Sequence, residues 1–368
     1  MSSLRVVGGS VDVTIVDGRV SADDRHDVPR YDAGGLHVLP GLIDLQVNGV
    51  AGIDVTREPE RLWEVAAALP VFGVTAFLPT VITSSPDART AALAALAAGP
   101  PPGWAGARPL GLHFEGPMIA PGRKGAHPAS WLVPPSAGVT TGWSREAGVA
   151  MVTVAPELPG ALDVMASLAA RGVVVAVGHT EASPEQIVAA VDHGARSVTH
   201  LGNAMPALAG RAPGPVGAAL ADPRLVAGVI ADGHHLHPAT LAVYARALGP
   251  GRLLAVTDCT AALGMPDGPA RLGDQPVVVR EGTVRLEDGT LAGSAASLPQ
   301  CLRVLRAATG WSLAEAVGCC TAVAADLLDD PSRGRLVHGA RGDLTLVDDE
   351  LNLVATVVGG RLLHGGGH

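Results

Sequence analysis

Val173-Val174-Val175-Ala176-Val177-Gly178-His179-Thr180 and Ser197-Val198-Thr199-His200-Leu201-Gly202-Asn203-Ala204-Met205-Pro206 decide how this chain is read. Each begins as a short run of β-branched and small residues and reaches a histidine. A histidine at the C-terminal end of a β-strand is placed to point into the mouth of a barrel. Two such histidines on successive strands can hold one metal ion from neighbouring directions. Either alone would read as an ordinary core or surface histidine. A strand-end carboxylate upstream, Glu115, and another downstream, Asp258, make a shared site the stronger reading.

The same pattern extends outward in both directions. Eight apolar segments each run into a polar residue: Leu36 to Leu45, Val74 to Leu78, Pro109 to Phe114, Val149 to Ala155, Val173 to Gly178, Ser197 to Thr199, Val226 to Ile230 and Leu253 to Thr257. Between them lie Ala- and Leu-rich helical stretches: Arg61 to Leu69, Asp87 to Ala98, Leu162 to Ala170, Pro184 to Ala190 and Pro238 to Leu248. Ser183-Pro184 supplies an N-cap and a proline at the first helical position. Eight β/α units with polar strand ends predict an α/β fold, a TIM (β/α)8 barrel. A doubly wound sheet would carry a glycine-rich phosphate loop after its first strand. Here that place holds Asp44-Leu45-Gln46-Val47-Asn48-Gly49.

The two ends of the chain have a different character. Val11 to Val16 alternates, Asp17-Gly18 signals a hairpin, and Arg19-Val20 resumes. Asp343 to Val347 and Leu353 to Val358 read as strands, with Gly359-Gly360 turning into Arg361-Leu362-Leu363. Residues 1–38 and 340–368 are therefore expected to form a small β-sandwich domain from both termini, and residues 39–339 the barrel. After Asp258, hairpin strands are expected around Val277 to Val279 and Val284 to Leu286, then Leu291 to Ser294. A helical region from Leu298 to Leu328 is expected on the barrel exterior.

Bulk properties narrow the function. Hydrophobic residues make up 48%, enough for a large core. The net charge of −9 argues against a nucleic-acid partner. No apolar run spans a bilayer, and Met1-Ser2-Ser3-Leu4-Arg5 lacks a signal-peptide core, so no membrane partner and a cytoplasmic location are expected. Cys259, Cys301, Cys319 and Cys320 lack C-x-x-C spacing and read as reduced, buried thiols.

A buried carboxylate at Glu115 is costly unless paired or metal-bound. With His179 and His200 it makes a set suited to a divalent ion with one position left open. Asp258 is placed to move a proton beside such an ion. His113 shares the Glu115 face of its strand and reads as packing around the site. Gln46 and Asn48 stand where ligands of a second ion would stand, but neutral amides are poor ligands for Zn²⁺, so one metal is expected. Arg211 and the dense Asp232-Gly233-His234-His235 segment are candidates for binding an anionic group. Arg123, Lys124 and His127 lie in a Gly/Pro-rich loop expected to cover the mouth.

At these residues the chain resembles the N-acetylglucosamine-6-phosphate deacetylases of the amidohydrolase superfamily. The resemblance rests on Pro40-Gly41-Leu42-Ile43-Asp44-Leu45-Gln46-Val47-Asn48-Gly49, His113-Phe114-Glu115-Gly116-Pro117, Lys124-Gly125-Ala126-His127, Gly178-His179-Thr180, Thr199-His200-Leu201-Gly202-Asn203-Ala204-Met205, Ala231-Asp232-Gly233 with His235, and Val256-Thr257-Asp258. These words occur in the family's order across most of the chain. The resemblance implies Glu115, His179 and His200 as ligands of one divalent metal per subunit, Zn²⁺ first and Fe²⁺, Co²⁺ or Mn²⁺ as alternatives. It implies Asp258 as the catalytic acid/base. It implies substrate contacts at Ala126, His127, Asn203, Ala204, Arg211, Asp232, His235, Leu291, Ala292 and Gly293. His127 would lie near the acetyl group, and Arg211 and His235 would face the sugar phosphate across a homodimer interface. Members with Gln-x-Asn at the place of Gln46-Val47-Asn48 work with one metal. The implied reaction is deacetylation of N-acetyl-D-glucosamine 6-phosphate to D-glucosamine 6-phosphate and acetate. The alternatives are the galactosamine epimer or another N-acyl substrate on the same scaffold.

Overall fold

The computed structural model describes residues 2–23 and 27–365. Residues 1, 24–26 and 366–368 of the expected sandwich domain lie outside the described residues. Eight parallel strands follow one another around the barrel: β1 (Leu42–Val47), β2 (Val74–Ile82), β3 (Leu112–Glu115), β4 (Val149–Val154), β5 (Val174–Val177), β6 (Ala195–Val198), β7 (Val226–Ile230) and β8 (Leu253–Val256). The ring closes where Val47 at the end of β1 forms a parallel bridge with Cys259 after β8. The Asn48 N–H donates to the Cys259 carbonyl at 2.8 Å beside it.

Seven of the eight segments expected as barrel strands are barrel strands with their ends adjusted, but Leu36 to Leu45 is divided: His37–Pro40 pairs with Leu344–Val347 in a terminal sheet and only Leu42–Val47 enters the barrel, the chain crossing between the two at Gly41. Strand β2 continues through Val81 to Ile82 because the apolar run does not stop at Leu78. The helices α1 (Leu62–Ala68), α2 (Pro86–Ala98), α3 (Ala161–Ala170) and α4 (Pro184–Asp192) follow the reading closely. Ser183 caps α4 with a reciprocal capping box to Gln186. Helix α5 (Gly214–Ala221) was not expected, since Gly214, Pro215 and Gly217 mask its apolar face in the sequence. After α6 (Pro238–Leu248), the single helical region expected from Leu298 is three helices: α7 (Leu298–Thr309), α8 (Leu313–Gly318) and α9 (Ala322–Leu327). Gly310 in a left-handed conformation ends α7, and Ser312 caps α8.

Alternation along the strands sorts the core. Ile43, Leu45, Ala76, Leu78, Ala150, Met151, Val174, Ala176, Leu254 and Val256 fill the barrel interior together with Val323, Ala324, Ala325, Leu327 and Leu328 of the α9 region. Their sequence neighbours, such as Leu42, Phe77, Val152, Val175 and Leu253, face the surrounding helices.

The chain ends form two four-stranded sheets. One has the order 19–21, 13–16, 4–7, 30–32, and the other the order 361–364, 353–358, 344–347, 37–40. Val6, Val13, Ile15, Val38, Leu344, Leu346, Ala355 and Val357 from both sheets share one apolar cluster, which makes a β-sandwich. A third sheet, antiparallel throughout and built from 268–272, 275–280, 283–285 and 291–294, is inserted after β8. It reaches the barrel through a parallel bridge between Cys259 and Ser294.

Candidate metal centre and active site

Three backbone devices bring the polar strand ends into one place. Plain alternation serves Glu115, which follows inward-facing His113 on β3; Asp258, two residues past inward-facing Val256, enters the mouth with a positive φ of 51°. On β5 and β6 alternation would aim His179 and His200 outward. Both residues instead have positive φ, 50° and 28°, and the left-handed backbone turns them inward. On β1 the pairing slips by one residue between Asp44, opposite Phe77, and Val47, opposite Pro79. That bulge reverses the facing after Leu45, so Gln46 and Asn48 point into the mouth.

Glu115, His179 and His200 are all buried and form the one cluster of potential metal-ligating groups found among the described residues. Glu115 Oε1 lies 3.1 Å from His179 Nε2 and 2.9 Å from His200 Nε2, and the two Nε2 atoms are 3.1 Å apart. The Arg123 carbonyl accepts from His179 Nδ1 at 2.7 Å. That bond puts the ring proton on Nδ1 and leaves the Nε2 lone pair facing its neighbours. One carboxylate oxygen and two imidazole nitrogens converging in this way fit a divalent cation. Burial alone would raise the Glu115 carboxyl, but the closely placed His179 and His200 rings overcome it and hold the group well below the usual carboxylate range.

The amides after the bulge act as donors. Gln46 Nε2 donates to Glu115 Oε1 at 3.2 Å, and Asn48 Nδ2 donates to Asp258 Oδ1 at 2.7 Å. Beneath them, buried Asp44 accepts from the Gln46 N–H at 3.2 Å and from the Thr257 hydroxyl at 2.5 Å, tying β1 to β8. Asp258 Oδ2 has no hydrogen-bond partner among the described residues, and Asp258 lines the cavity. Burial, and then the neighbouring Glu115 charge, push the Asp258 carboxyl up to about 7.

His127 completes the floor. The Thr83 N–H at 3.3 Å and the Thr83 hydroxyl at 2.8 Å both meet its Nδ1. A backbone N–H can only donate, so Nδ1 is the acceptor and Nε2 carries the proton. Nε2 lies 3.8 Å from Glu115 Oε2, at the edge of the metal cluster. Burial, and then the His179 charge, hold His127 down to about 3, so the ring is neutral. His113 sits lower in a chain of hydroxyls, 2.8 Å from Thr153 Oγ1 and 3.4 Å from Thr80 Oγ1, outside the ligand set.

Above this floor is a cavity of about 230 Å³. Of the residues singled out in the sequence, Glu115, Ala126, His127, His179, His200, Asn203, Ala204, His235, Asp258, Leu291, Ala292 and Gly293 line it. Asp232 stands behind His235, accepting from its Nδ1 at 2.7 Å and from its backbone N–H at 2.9 Å, which leaves His235 Nε2 for the cavity. Arg211 is elsewhere: it sits exposed at the tip of a tight turn, between bridged Ala209 and Ala212, and is not among the cavity-lining residues. Arg123 pairs with Glu181 at 3.0 Å, so the loop ahead of His127 is fastened to β5's exit. Glu157, at the end of β4, serves the same exit, accepting from Thr180 and the Glu181 N–H.

The sequence reading passed over Thr83, Ile82, Leu272, Ile230 and Thr290. The continuing run Val81-Ile82-Thr83 was the available signal for the first two. Leu272 is carried in by the inserted sheet, and no local pattern announces its destination.

Residues 37–363 match the Amidohydrolase family. The chain belongs to the amidohydrolase family. It is a hydrolase built around a site for a divalent metal ion. It is 33% identical over 359 residues to the N-acetylglucosamine-6-phosphate deacetylase of Lysinibacillus sphaericus, covering 96% of this chain and 93% of the relative. It is 34% identical to the N-acetylgalactosamine-6-phosphate deacetylase of a Shewanella species, covering 94% and 88%. A solved structure of the N-acetyl-D-glucosamine-6-phosphate deacetylase of Mycobacterium smegmatis, a D267A mutant in complex with N-acetyl-D-glucosamine-6-phosphate, superposes with a TM-score of 0.87 at 33% identity over 98% of both chains.

Proposed function

We propose that this enzyme hydrolyses the acetamide of N-acetyl-D-glucosamine 6-phosphate, releasing acetate and D-glucosamine 6-phosphate. The observation that carries the reading is the free oxygen of Asp258 lining the same small cavity as Glu115, His179 and His200, in a chain akin to deacetylases of this substrate.

Glu115, His179 and His200 would hold the ion, with Zn²⁺ our first choice. When bound, the ion supplies Lewis acidity, which acidifies water and polarises the acyl carbonyl. Asp258 Oδ2 takes a proton from the attacking water and returns it to the nitrogen as the C–N bond breaks, so the carboxylate is regenerated. The His127 Nε2–H donates to the acyl oxygen as negative charge builds on it. Asp232 fixes His235 with its Nε2 toward the substrate, where the imidazolium form, protonated on both ring nitrogens, can donate to a phosphate oxygen.

The galactosamine 6-phosphate epimer is the second reading, favoured by the Shewanella relative. We place the enzyme in the cytoplasm as a homodimer; among the described residues no helix is long and apolar enough to cross a membrane. Arg211 supports the dimer, because an arginine outside its own cavity can serve the phosphate of a neighbouring subunit.

The test is acetate release by metal-loaded protein from N-acetylglucosamine 6-phosphate, its galactosamine epimer and both unphosphorylated sugars. Preference for the glucosamine phosphate supports the reading. Turnover of the epimer alone moves the substrate, and turnover of neither phosphate with metal bound sinks it.

A further inference from the structure

The walls of the cavity are unlike each other. Asn203, His235 and Thr290 bring polar groups to it. Ile82, Ala126, Leu272 and Ala292 form an apolar corner; all four are buried and belong to one hydrophobic cluster.

The corner is built around His127. Ala126 precedes it in the chain, and Ile82 precedes Thr83, whose hydroxyl bonds the His127 ring at 2.8 Å. Leu272 ends the first strand of the inserted sheet, and the next residue fixes it in place. The Gly273 N–H donates to Asp54 at 2.7 Å, and Asp54 also accepts from the Thr56 and Arg57 N–H groups at 2.8 and 3.1 Å. A Cβ added at Gly273 would stand 3.2 Å from Ile82 Cδ1, so this turn rests directly on Ile82.

In an acetamide the methyl group and the oxygen share one carbon. A donor that receives the oxygen therefore has the methyl in its own neighbourhood. Sugar hydroxyls and a phosphate would be stranded against an apolar wall, whereas a methyl gains from it.

We propose that Leu272, backed by Ile82 and Ala126, is the residue that limits the acyl group to acetyl. This rests on the amide-hydrolysis reading above. The Leu272 side chain closes the corner, so a longer acyl chain meets it head on. Shortening the side chain opens room for further methylenes, and a bulkier one crowds the methyl itself.

The test measures kcat/KM for N-formyl-, N-acetyl-, N-propionyl- and N-butyryl-glucosamine 6-phosphate with wild type, Leu272→Ala and Leu272→Phe, alongside metal content and Tm. Leu272→Ala should raise the butyryl-to-acetyl ratio about 10-fold or more, and Leu272→Phe should lower the acetyl-to-formyl ratio by a similar factor. General loss of structure would lower every substrate together and leave these ratios alone. If Leu272→Ala does not fold, Leu272→Val carries the same test with a smaller shift toward propionyl. Unchanged ratios with acetyl turnover intact overturn the acyl-length role and leave the deacetylase reading standing. No turnover of any acyl sugar by metal-loaded wild type removes both.

Discussion

At the ends of β3, β5 and β6 the barrel mouth presents acceptors: a carboxylate and two imidazole lone pairs from Glu115, His179 and His200. Across the mouth, the end of β1 presents donors, the amides of Gln46 and Asn48, which reach the Glu115 and Asp258 carboxylates. The two sides occupy equivalent positions in the barrel and are equally buried. What differs is the sign of the group at the strand tip. Acceptors crowded together require a cation, while donors facing carboxylates hold them still. One half of the mouth is built to bind an ion and the other to orient the groups that surround it.

The sharpest way to break this division is to remove the ion. Chelation should abolish turnover and added Zn²⁺ should restore it, with metal content tracking activity. His179→Ala and His200→Ala should each lose bound metal by elemental analysis, whereas full metal retention in either would remove that residue from the binding half. Next in size, Asp258→Asn should cost about 10²- to 10⁴-fold in kcat and leave metal content near wild type. Near-normal turnover there would end the proton-transfer role of Asp258.

The donor half makes smaller and separable predictions. Asn48→Ala should lower kcat roughly 10- to 100-fold with KM little changed, since it frees Asp258 without touching the ion. Gln46→Ala should instead weaken metal affinity by about the same factor, read by competition with a chelator. Finding both effects in one variant would mean that the two amides do not divide the work.

The smallest effect lies beneath both halves. Burial holds His113 down to about 4 in the folded chain, against about 6.5 when unfolded. Between those values the unfolded chain binds a proton that the folded chain refuses, so stability rises with pH over that window and falls on acidification. The limiting slope is about 1.4 kcal/mol per pH unit. Urea midpoints at several pH values should therefore fall less steeply for His113→Gln than for wild type, and coincident slopes would assign the acid sensitivity elsewhere.

Much of this was legible before any coordinates. Apolar runs ending in Glu115, His179, His200 and Asp258 carry both the strand assignment and the chemistry, because strand ends and side-chain type are local facts. Gln46 and Asn48 were visible as poor ligands, but their work as donors depends on a one-residue slip against β2 that no local pattern encodes. Leu272 lies in a Gly/Pro-rich stretch, and its place in the cavity depends on Asp54, more than two hundred residues earlier in the chain. Helix α5 was hidden because glycine and proline occupy positions that normally announce a helix. Arg211 reads as an anion contact, but the structure leaves it exposed at the tip of a turn, since residue type alone says nothing about where a loop carries its side chain.

His179, His200 and Asp258 share a left-handed backbone that only glycine adopts without cost. Each such residue is disfavoured by about 1–3 kcal/mol, a large share of the net stability of a folded domain. Glycine at any of these positions would relieve the strain and silence the enzyme. Activity and robustness therefore pull against each other at the same three positions. A search for thermostable variants that ignores turnover should drift toward these positions, and one that demands turnover should have to find its gains in the helices and the sandwich instead.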